Sequence, residues 1–245
     1  MLFHFHKSLQ GMSGPLQYVE GKLFFAANRI IPARVFKYLP TIYYKVNRYR
    51  FRVFQRPTLQ RETSKARSRR EREGFFAKYC RGRGLDVGYG GDAVVPGCRG
   101  WDIEHGDAHL LAGVPDAEFD FVYSSHLLEH LADTTLTIKN WWRVLKRGGY
   151  LLLYIPERDL AERKKTLPSD MSLDHKHYFL VDHDDPPHTI GLVPLIKRSF
   201  PDAKIIYAKI CSEGYDPKVP ANLNPGECSI ECVIQKLPGA VASGS

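Results

Sequence analysis

The sequence predicts an α/β fold built around a mostly parallel sheet. The first observation is that short apolar runs, typical of buried strands, alternate with segments of helical periodicity. The second is a glycine-rich turn that directly follows the first of these runs. The third is a chain of 245 residues with 43% apolar and 25% charged residues, a globular composition unlike that of a disordered chain or a membrane bundle.

Each expected element has a local signature. The expected strands are residues 85–87, 100–103, 119–124, 150–155, 204–210 and 230–235. One helix is predicted by large apolar residues at spacing i, i+3, i+4 and i+7, namely Ile138, Trp141, Trp142 and Leu145. Gly148 and Gly149 are expected to end it. A second helix is expected near residues 189–199, after an irregular segment over 157–188 that is rich in His and Asp.

The charge is unevenly distributed and divides the chain into two parts. Residues 1–74 hold 16 Lys and Arg against 4 Asp and Glu, whereas the rest of the chain has a net charge of −4. Residues 1–56 also contain 12 of the 29 aromatic residues, and residues 57–73 are typical of a polar linker or an exposed helix. We therefore expect a basic aromatic arm and linker over 1–74 and a globular domain over 75–245.

The sequence argues against a membrane-spanning protein and against a secreted, disulfide-bonded one. There is no apolar run near eighteen residues, and the first residues lack the apolar region and cleavage site of a secretory signal. The five cysteines are odd in number and form no C-x-x-C pair, which favours free thiols in a reducing compartment. We expect a cytoplasmic protein.

A glycine turn and two acidic residues form the first candidate site. Asp86, Gly88 and Gly90 lie in the motif LDVGYGG at the end of the first expected strand, and Asp102 ends the second. Ligands of open α/β sheets bind at the carboxyl ends of the strands, where a carboxylate can accept both hydroxyls of a ribose. The glycines alone are equally consistent with a tight turn.

Four motifs in order carry a resemblance to a known family. They are LDVGYGG, GWD, FDFVYSSHLLEHL and WWRVLKRGGYLLLYIPERD, and they span about residues 83–158. Together they resemble class I S-adenosylmethionine-dependent methyltransferases of the methyltransferase type 11 group. The resemblance implies a Rossmann-like, seven-stranded sheet with an antiparallel last strand. It implies S-adenosyl-L-methionine as cofactor and S-adenosyl-L-homocysteine as product.

The resemblance also implies cofactor-binding residues. The methionine end would be held by Asp86, Gly88 and Gly90, with Tyr89 packing on the cofactor. Asp102 would hold the ribose, and Asp107 and Ala108 the adenine. Ser124 and Ser125 would lie beside the sulfonium.

The segment after the glycine turn departs from the family pattern. Only 14 positions separate Gly88 from Asp102, and Pro96 and Gly97 interrupt them, so we expect a short turn or irregular loop in place of the first helix. This short crossover, together with the later run DHKH, is similar to methyltransferases of bacterial surface-glycan clusters. We therefore expect O-methylation of a saccharide or glycoconjugate hydroxyl.

An oxygen acceptor needs a base to take its proton, and histidine suits this near neutral pH. The candidates are His126, after the third expected strand, and His175 and His177, in the loop after the fourth, with Asp174 as an orienting group. Each of these histidines is also consistent with a structural hydrogen-bonding role.

Two other functions stay open. His126, Glu129 and His130 would share a helix face and, with His175 or His177, suggest a metal-assisted methyltransferase of RNA or a quinone-type phenol. Those enzymes have Glu in the first position, so we assign no metal ligands. The third possibility is a non-catalytic adaptor with the same fold, against which the intact glycine turn argues.

The basic arm has three interpretations. Residues 1–56 are suited to an anionic membrane surface, to single-stranded nucleic acid, or to packing as a helical cap or dimer interface. Nucleic acid is the weakest of these, since no RNA-binding module signature is present. A saccharide or glycolipid acceptor at the inner face of a membrane fits the arm and the resemblance together, and the oligomeric state stays open.

Overall fold

The computed structural model describes residues 61–219 and 223–238. The chain divides into two compact units, one of residues 1–59 with 168–174 and the other of residues 60–167 with 175–245. The predicted arm over residues 1–56 lies outside the described residues, and the predicted boundary at residue 74 stays a prediction. In the first unit, residues 168–174 form a loop in which Ser169 Oγ accepts hydrogen bonds from the backbone N–H groups of Met171 and Ser172.

Three short helices precede the sheet: α1 (Glu62–Lys65), α2 (Arg67–Arg72) and α3 (Phe75–Tyr79). A polar linker or exposed helix was the expectation for this stretch, and for α2 it is wrong. Arg69 and Arg70 are buried and form ion pairs with acidic residues of the C-terminal part of the chain.

The strands are β1 (Gly84–Val87), β2 (Arg99–Trp101), β3 (Phe119–Ser125), β4 (Leu145–Pro156), β5 (Tyr178–Leu180), β6 (Thr189–Gly191), β7 (Lys204–Cys211) and β8 (Ser229–Gln235). Six of them form one sheet in the order β2-β1-β3-β4-β8-β7, and β5 and β6 form a small parallel sheet of their own. The first four strands of the large sheet are parallel, and β8 is antiparallel to both of its neighbours. This confirms a Rossmann-like α/β architecture with an antiparallel strand, but the large sheet has six strands within the described residues rather than the seven implied by the resemblance.

Two helices follow strands on one face of the sheet: α4 (Thr134–Arg143) and α5 (Leu192–Ser199). Asp133 caps the N-terminus of helix α4, since its side chain accepts a hydrogen bond from the backbone N–H of Leu136 at 2.8 Å. The prediction that Gly148 and Gly149 end this helix is wrong, because both lie inside β4. Gly149 is needed there, since a Cβ at this position would lie 2.6 Å from the Asp120 carbonyl oxygen.

The sheet is covered on both faces. On one face, Ile138 and Trp141 of α4 and Leu195 of α5 pack on apolar side chains of the strands. On the other face, Ala66 in the turn between α1 and α2 and Phe75 of α3 pack on a second cluster of strand residues. Because both faces of the sheet are buried, apolar residues follow one another along the central strands.

None of the described helices is long and apolar enough to span a membrane. All five cysteines are free thiols.

Candidate active site

The glycine turn after β1 is tied to the end of β2. Gly88 has φ of +78°, a left-handed conformation that favours glycine, and its N–H donates to the Trp101 carbonyl at 2.7 Å. Gly90, with φ of +55°, donates its N–H to Asp102 Oδ2 at 3.1 Å. Tyr89 packs its ring on Gly100, where a Cβ would lie only 2.6 Å from the ring. The turn therefore holds the Asp102 carboxylate beside the glycine backbone.

Asp102 lies at the carboxyl end of β2, as predicted for a ribose ligand. Its second oxygen, Oδ1, accepts the N–H of Ile103 at 2.8 Å, so both carboxylate oxygens have fixed positions. Each oxygen retains a further lone pair for a ligand hydroxyl. Strand order reverses between β1 and its neighbours β2 and β3, and this is where α/β sheets bind ligands.

Asp86 stabilises the loop that replaces the first crossover helix. It is 1% exposed and accepts a hydrogen bond from the backbone N–H of Val94 at 2.8 Å. Burial raises the pKa of its carboxyl to about 7. The predicted irregular first crossover is confirmed, because residues 88–98 contain no helix. The predicted contact of Asp86 with the methionine end of the cofactor stays a prediction.

The loop predicted to bind adenine is fastened to α4. Asp107 Oδ1 accepts hydrogen bonds from the backbone N–H and from Nδ1 of His109, both at 2.8 Å. The Ala108 carbonyl accepts Trp141 Nε1–H at 2.9 Å. This gives the loop a fixed position next to β2, with the Asp107 side chain 55% exposed.

The two serines that end β3 differ in their contacts. Ser124 is buried and its hydroxyl donates to the Val87 carbonyl at 2.9 Å, which joins the ends of β1 and β3. Ser125 Oγ is buried and makes no hydrogen bond within the described residues. A buried hydroxyl of this kind at the ligand-binding edge of the sheet is consistent with a ligand contact.

His126 occupies a strained turn immediately after β3. Its φ of +48° is left-handed, and its backbone N–H donates to the Tyr154 carbonyl at 2.8 Å. The imidazole Nε2 lies 2.8 Å from Ser229 Oγ and 3.8 Å from Glu62 Oε2. Burial lowers the pKa of this imidazole to about 3, against the charge of Glu129, so it is neutral at physiological pH.

The two other candidate bases, His175 and His177, and the orienting residue Asp174 have contacts that differ from those of His126. His175 is buried, with Nδ1 2.5 Å from Glu162 Oε1. His177 forms a hydrogen bond through Nε2 to the Ala132 carbonyl at 3.1 Å. Asp174 belongs to the unit of residues 1–59 and 168–174, where it accepts a hydrogen bond from the Ser172 hydroxyl.

The predicted shared helix face of His126, Glu129 and His130 is wrong. Only a single 3₁₀ turn, Leu128–His130, follows β3, and the side chain of His126 contacts Ser229 instead. The structure brings Glu129 and His130 together with His175.

Sequence reasoning missed the contribution of α1. Ser64 Oγ lies 2.9 Å from both carboxylate oxygens of Asp92, in the loop after the glycine turn. A Cβ at Gly90 would lie 3.1 Å from Arg61 Nη1, so this guanidinium lies over the turn. Glu62, beside His126, has a carboxyl whose pKa is raised by burial. No local signal marks these residues, since they lie in a charged stretch typical of a linker.

Residues 92–153 match a family described as a methyltransferase domain, which implies S-adenosylmethionine as the cofactor. None of the curated protein sequences matches the chain.

Two solved structures that are similar to this chain come from thermophilic organisms. A SAM-dependent methyltransferase from Thermotoga maritima, described as a possible histamine N-methyltransferase, is 18% identical, with 69% of this chain and 97% of that chain covered and a TM-score of 0.43. A protein from Pyrococcus horikoshii is also 18% identical, with 77% and 98% covered and a TM-score of 0.45. At these identities and TM-scores the likeness carries no information on substrate.

The residues present fit the implied cofactor. Gly88 and Gly90 bring bare backbone to the carboxyl edge of the sheet, and the Asp102 carboxylate lies within hydrogen-bond distance of that backbone. A carboxylate can accept hydrogen bonds from both hydroxyls of a ribose, and a glycine turn lets the attached amino acid chain approach the backbone.

Proposed function

We propose that this chain is an S-adenosylmethionine-dependent methyltransferase that methylates a hydroxyl of a saccharide or glycoconjugate. The observation that supports the cofactor assignment best is the hydrogen bond between Gly90 N–H and Asp102 Oδ2, which places a carboxylate against a glycine turn at the switch point of the sheet. The acceptor class rests on the sequence resemblance and on the short first crossover.

The roles of the residues follow from their positions. Asp102 binds the ribose hydroxyls, and Gly88 and Gly90 allow the methionine end to approach the backbone. When bound, the cofactor supplies an electrophilic methyl group on a positively charged sulfur. The protein contributes alignment of the acceptor oxygen and removal of its proton.

His126 is the best placed of the candidate bases. With its Nε2–H donating to the Ser229 hydroxyl, its Nδ1 holds the lone pair that accepts the proton of the acceptor hydroxyl. The imidazole would take this proton when the acceptor oxygen receives the methyl group. Burial keeps this imidazole neutral in the resting state, and the negative charge of Glu129 would stabilise the imidazolium that proton transfer forms.

The cofactor site is tested by isothermal titration of the full chain with S-adenosylmethionine and S-adenosylhomocysteine in EDTA. We expect micromolar binding that Asp102→Asn weakens at least tenfold. Asp202→Asn is the matched control, because Asp202 lies in the exposed turn before β7, at the edge of the sheet away from the glycine turn. Equal binding by wild type and Asp102→Asn would overturn the ribose assignment, whereas no binding by either would overturn the cofactor site and favour the adaptor.

The acceptor is tested by methyl transfer from radiolabelled cofactor to a panel of saccharides and glycolipids. Among active acceptors, His126→Gln should lower kcat about 10²–10⁴-fold with unchanged affinity for the cofactor. Transfer to RNA or to catechol-type phenols only, or full activity of His126→Gln, would contradict this part of the proposal.

We further propose that the acceptor is bound to a membrane and that the basic residues of segment 1–56 contact the anionic membrane surface. Replacing Lys45, Arg48, Arg50 and Arg52 together by Gln in the full chain should reduce its binding to anionic vesicles, whereas neutral vesicles serve as the control. Unchanged binding would remove the membrane from the proposal. A cytoplasmic location at the inner face of a membrane is proposed on the same grounds.

A metal-assisted methyltransferase is the second candidate function. The observation that favours it is the convergence of Glu129, His130 and His175 at the 3₁₀ turn that follows β3. Loss of methyl transfer in EDTA and its recovery with a divalent metal would select this candidate.

A further inference from the structure

Three side chains with metal-binding atoms converge beside the turn that follows β3. Glu129 Oε1 lies 3.5 Å from His130 Nε2 and 3.9 Å from His175 Nε2, and one ligand atom from each of the three residues falls within 4.8 Å of the others. Two donors on a tetrahedral ion with bonds of about 2.0–2.1 Å lie roughly 3.3 Å apart. The two distances from Glu129 Oε1 are therefore within about 0.6 Å of the separation that a bound ion requires.

Glu129 carries the feature that calls for a ligand. Its side chain is 1% exposed, and neither of its carboxylate oxygens makes a hydrogen bond within the described residues. A buried carboxylate without hydrogen bonds is costly, since it has lost its hydration. A cation between the carboxylate and the two imidazoles would remove this cost.

His175 is oriented for coordination. Its Nδ1 lies 2.5 Å from Glu162 Oε1, and both side chains are buried. A carboxylate that accepts Nδ1–H fixes the tautomer in which Nε2 bears the lone pair, and here Nε2 faces Glu129. Metal-binding histidines characteristically donate their other N–H to a carboxylate in this way.

The backbone holds the two parts of the cluster together. The Glu129 carbonyl accepts hydrogen bonds from the N–H of Lys176 at 2.7 Å and from the N–H of His177 at 3.3 Å. The loop that bears His175 is thus fastened to the 3₁₀ turn that bears Glu129 and His130. Leu128, which precedes Glu129, is anchored in the core. The site does not depend on closure of a loop by the metal.

We infer that Glu129, His130 and His175 bind a divalent transition-metal ion, with Glu162 as the residue that orients His175. Two imidazoles and one carboxylate favour Zn²⁺ and Co²⁺ over Mg²⁺, which prefers oxygen ligands alone. Three protein ligands leave one coordination position for water or an oxygen of a substrate, as in catalytic zinc sites. The inference is independent of the proposed methyl transfer.

The test is to titrate Co²⁺ into the full chain after treatment with EDTA and dialysis. Binding is measured by the visible ligand-field absorption of Co²⁺ and by calorimetry. We expect one Co²⁺ per chain, displaced by Zn²⁺ and unaffected by excess Mg²⁺. The near-ultraviolet thiolate band should be absent, since none of the assigned ligands is a cysteine. A thiolate band, or no binding of Co²⁺ or Zn²⁺, would overturn the assignment.

Three variants distinguish the site from other histidines. Glu129→Gln and His175→Ala should each lower the affinity more than tenfold, and Glu162→Gln by about 10–100-fold. His183→Ala is the matched control, because His183 lies in the exposed Asp- and His-rich loop and pairs with Asp182. Loss of binding in His183→Ala with retention in Glu129→Gln would place the metal in that loop and contradict the inference.

Thermal stability distinguishes a metal site from a purely structural ion pair between Glu129 and protonated histidines. The ion pair alone would stabilise the metal-free protein. In EDTA, Glu129→Gln should then melt at a lower temperature than wild type. A metal site predicts that Glu129→Gln melts at the same or a higher temperature in EDTA, and that Zn²⁺ raises the midpoint of wild type only. A lower midpoint without any Zn²⁺ effect on wild type would sink the metal site even if both proteins fold.

Discussion

Arg70 of α2 and Glu231 of β8 form an ion pair in which Nε lies 2.6 Å from Oε2 and both side chains are 1% exposed. The same guanidinium donates to the Tyr123 hydroxyl at 2.9 Å and lies over the rings of Phe75 and Tyr154. Arg69 also contacts Glu231 and pairs with Glu227. The N-terminal helices are therefore joined to the antiparallel end of the sheet through buried charges.

Removing Arg70 should destabilise the whole domain. Arg70→Met leaves the Glu231 carboxylate buried with one of its two arginines missing, and removal of one partner of a buried pair costs about 3–5 kcal/mol. We expect a decrease of about 3 kcal/mol in the free energy of unfolding, measured by urea denaturation, since Arg69 remains. Arg72→Met is the control, because Arg72 forms an exposed pair with Glu213 and should leave the midpoint unchanged. Equal midpoints for Arg70→Met and wild type would show that this pair is not stabilising.

The same network predicts a loss of stability in acid. Burial on its own raises the pKa of Glu231, but the hydrogen bond from Arg69 and the charge of Arg70 outweigh it and lower the pKa to about 2. Because this pKa is below the ordinary value of 4.5, the stabilisation is complete above about pH 4.5 and is lost as the pH falls towards 2. The contribution is on the order of 3 kcal/mol. Unfolding free energies measured between pH 6 and 2.5 should decrease less steeply for Glu231→Gln than for wild type. Parallel curves would contradict the assignment.

The central strands and the glycine turn could be predicted from sequence because their signals are local. Short apolar runs predicted β1, β3 and part of β4 within a few residues, and Asp102 lies at the end of the second strand, as predicted. The short first crossover was also visible, since Pro96 and Gly97 leave no room for a helix.

Two expectations failed, the seventh strand of the sheet and the helix that would carry His126, Glu129 and His130. Both depend on interactions that residue spacing does not show. The resemblance implied seven strands, but within the described residues the large sheet has six, and residues 104–118 between β2 and β3 form turns. The helical face expected for His126 fails because His126 adopts a left-handed φ and the next helix begins only after Asp133. Burial of Arg70 was hidden because its partner Glu231 is 161 residues away in the chain.

A matched pair of glycines tests the turn. Gly88 and Gly97 have φ of +78° and +79°, but a Cβ at Gly88 would lie 2.8 Å from Leu127 Cδ2, whereas a Cβ at Gly97 meets nothing within 4 Å. Gly97→Ala should therefore cost only the left-handed strain of about 1 kcal/mol. Gly88→Ala should cost about 1–3 kcal/mol more through the clash, and it should weaken cofactor binding by displacing Leu127 and the adjacent His126. Thermal denaturation and cofactor titration of the two variants measure both effects. Equal stabilities with equal affinities would show that the turn relaxes without consequence.

Arg61 is expected to bind the carboxylate of the methionine part of the cofactor, because its Nη1 lies closest to the glycine turn and α1 is fastened there by Ser64 and Asp92. Charge-assisted hydrogen bonds contribute about 1.5–3 kcal/mol, which corresponds to roughly 10–100-fold in affinity. Arg61→Met should therefore weaken S-adenosylmethionine and S-adenosylhomocysteine by that factor, and Arg61→Lys by less.

The comparison ligand for this test is 5′-methylthioadenosine, which has the same nucleoside and thioether but no amino acid carboxylate. If Arg61 contacts that carboxylate, Arg61→Met should bind methylthioadenosine as wild type does. Arg67→Met is the control variant, because the Arg67 guanidinium lies over the Phe76 ring and is not directed at the turn. A parallel loss of affinity for all three ligands would mean that Arg61 shapes the turn itself, whereas no loss for any of them would remove Arg61 from the site.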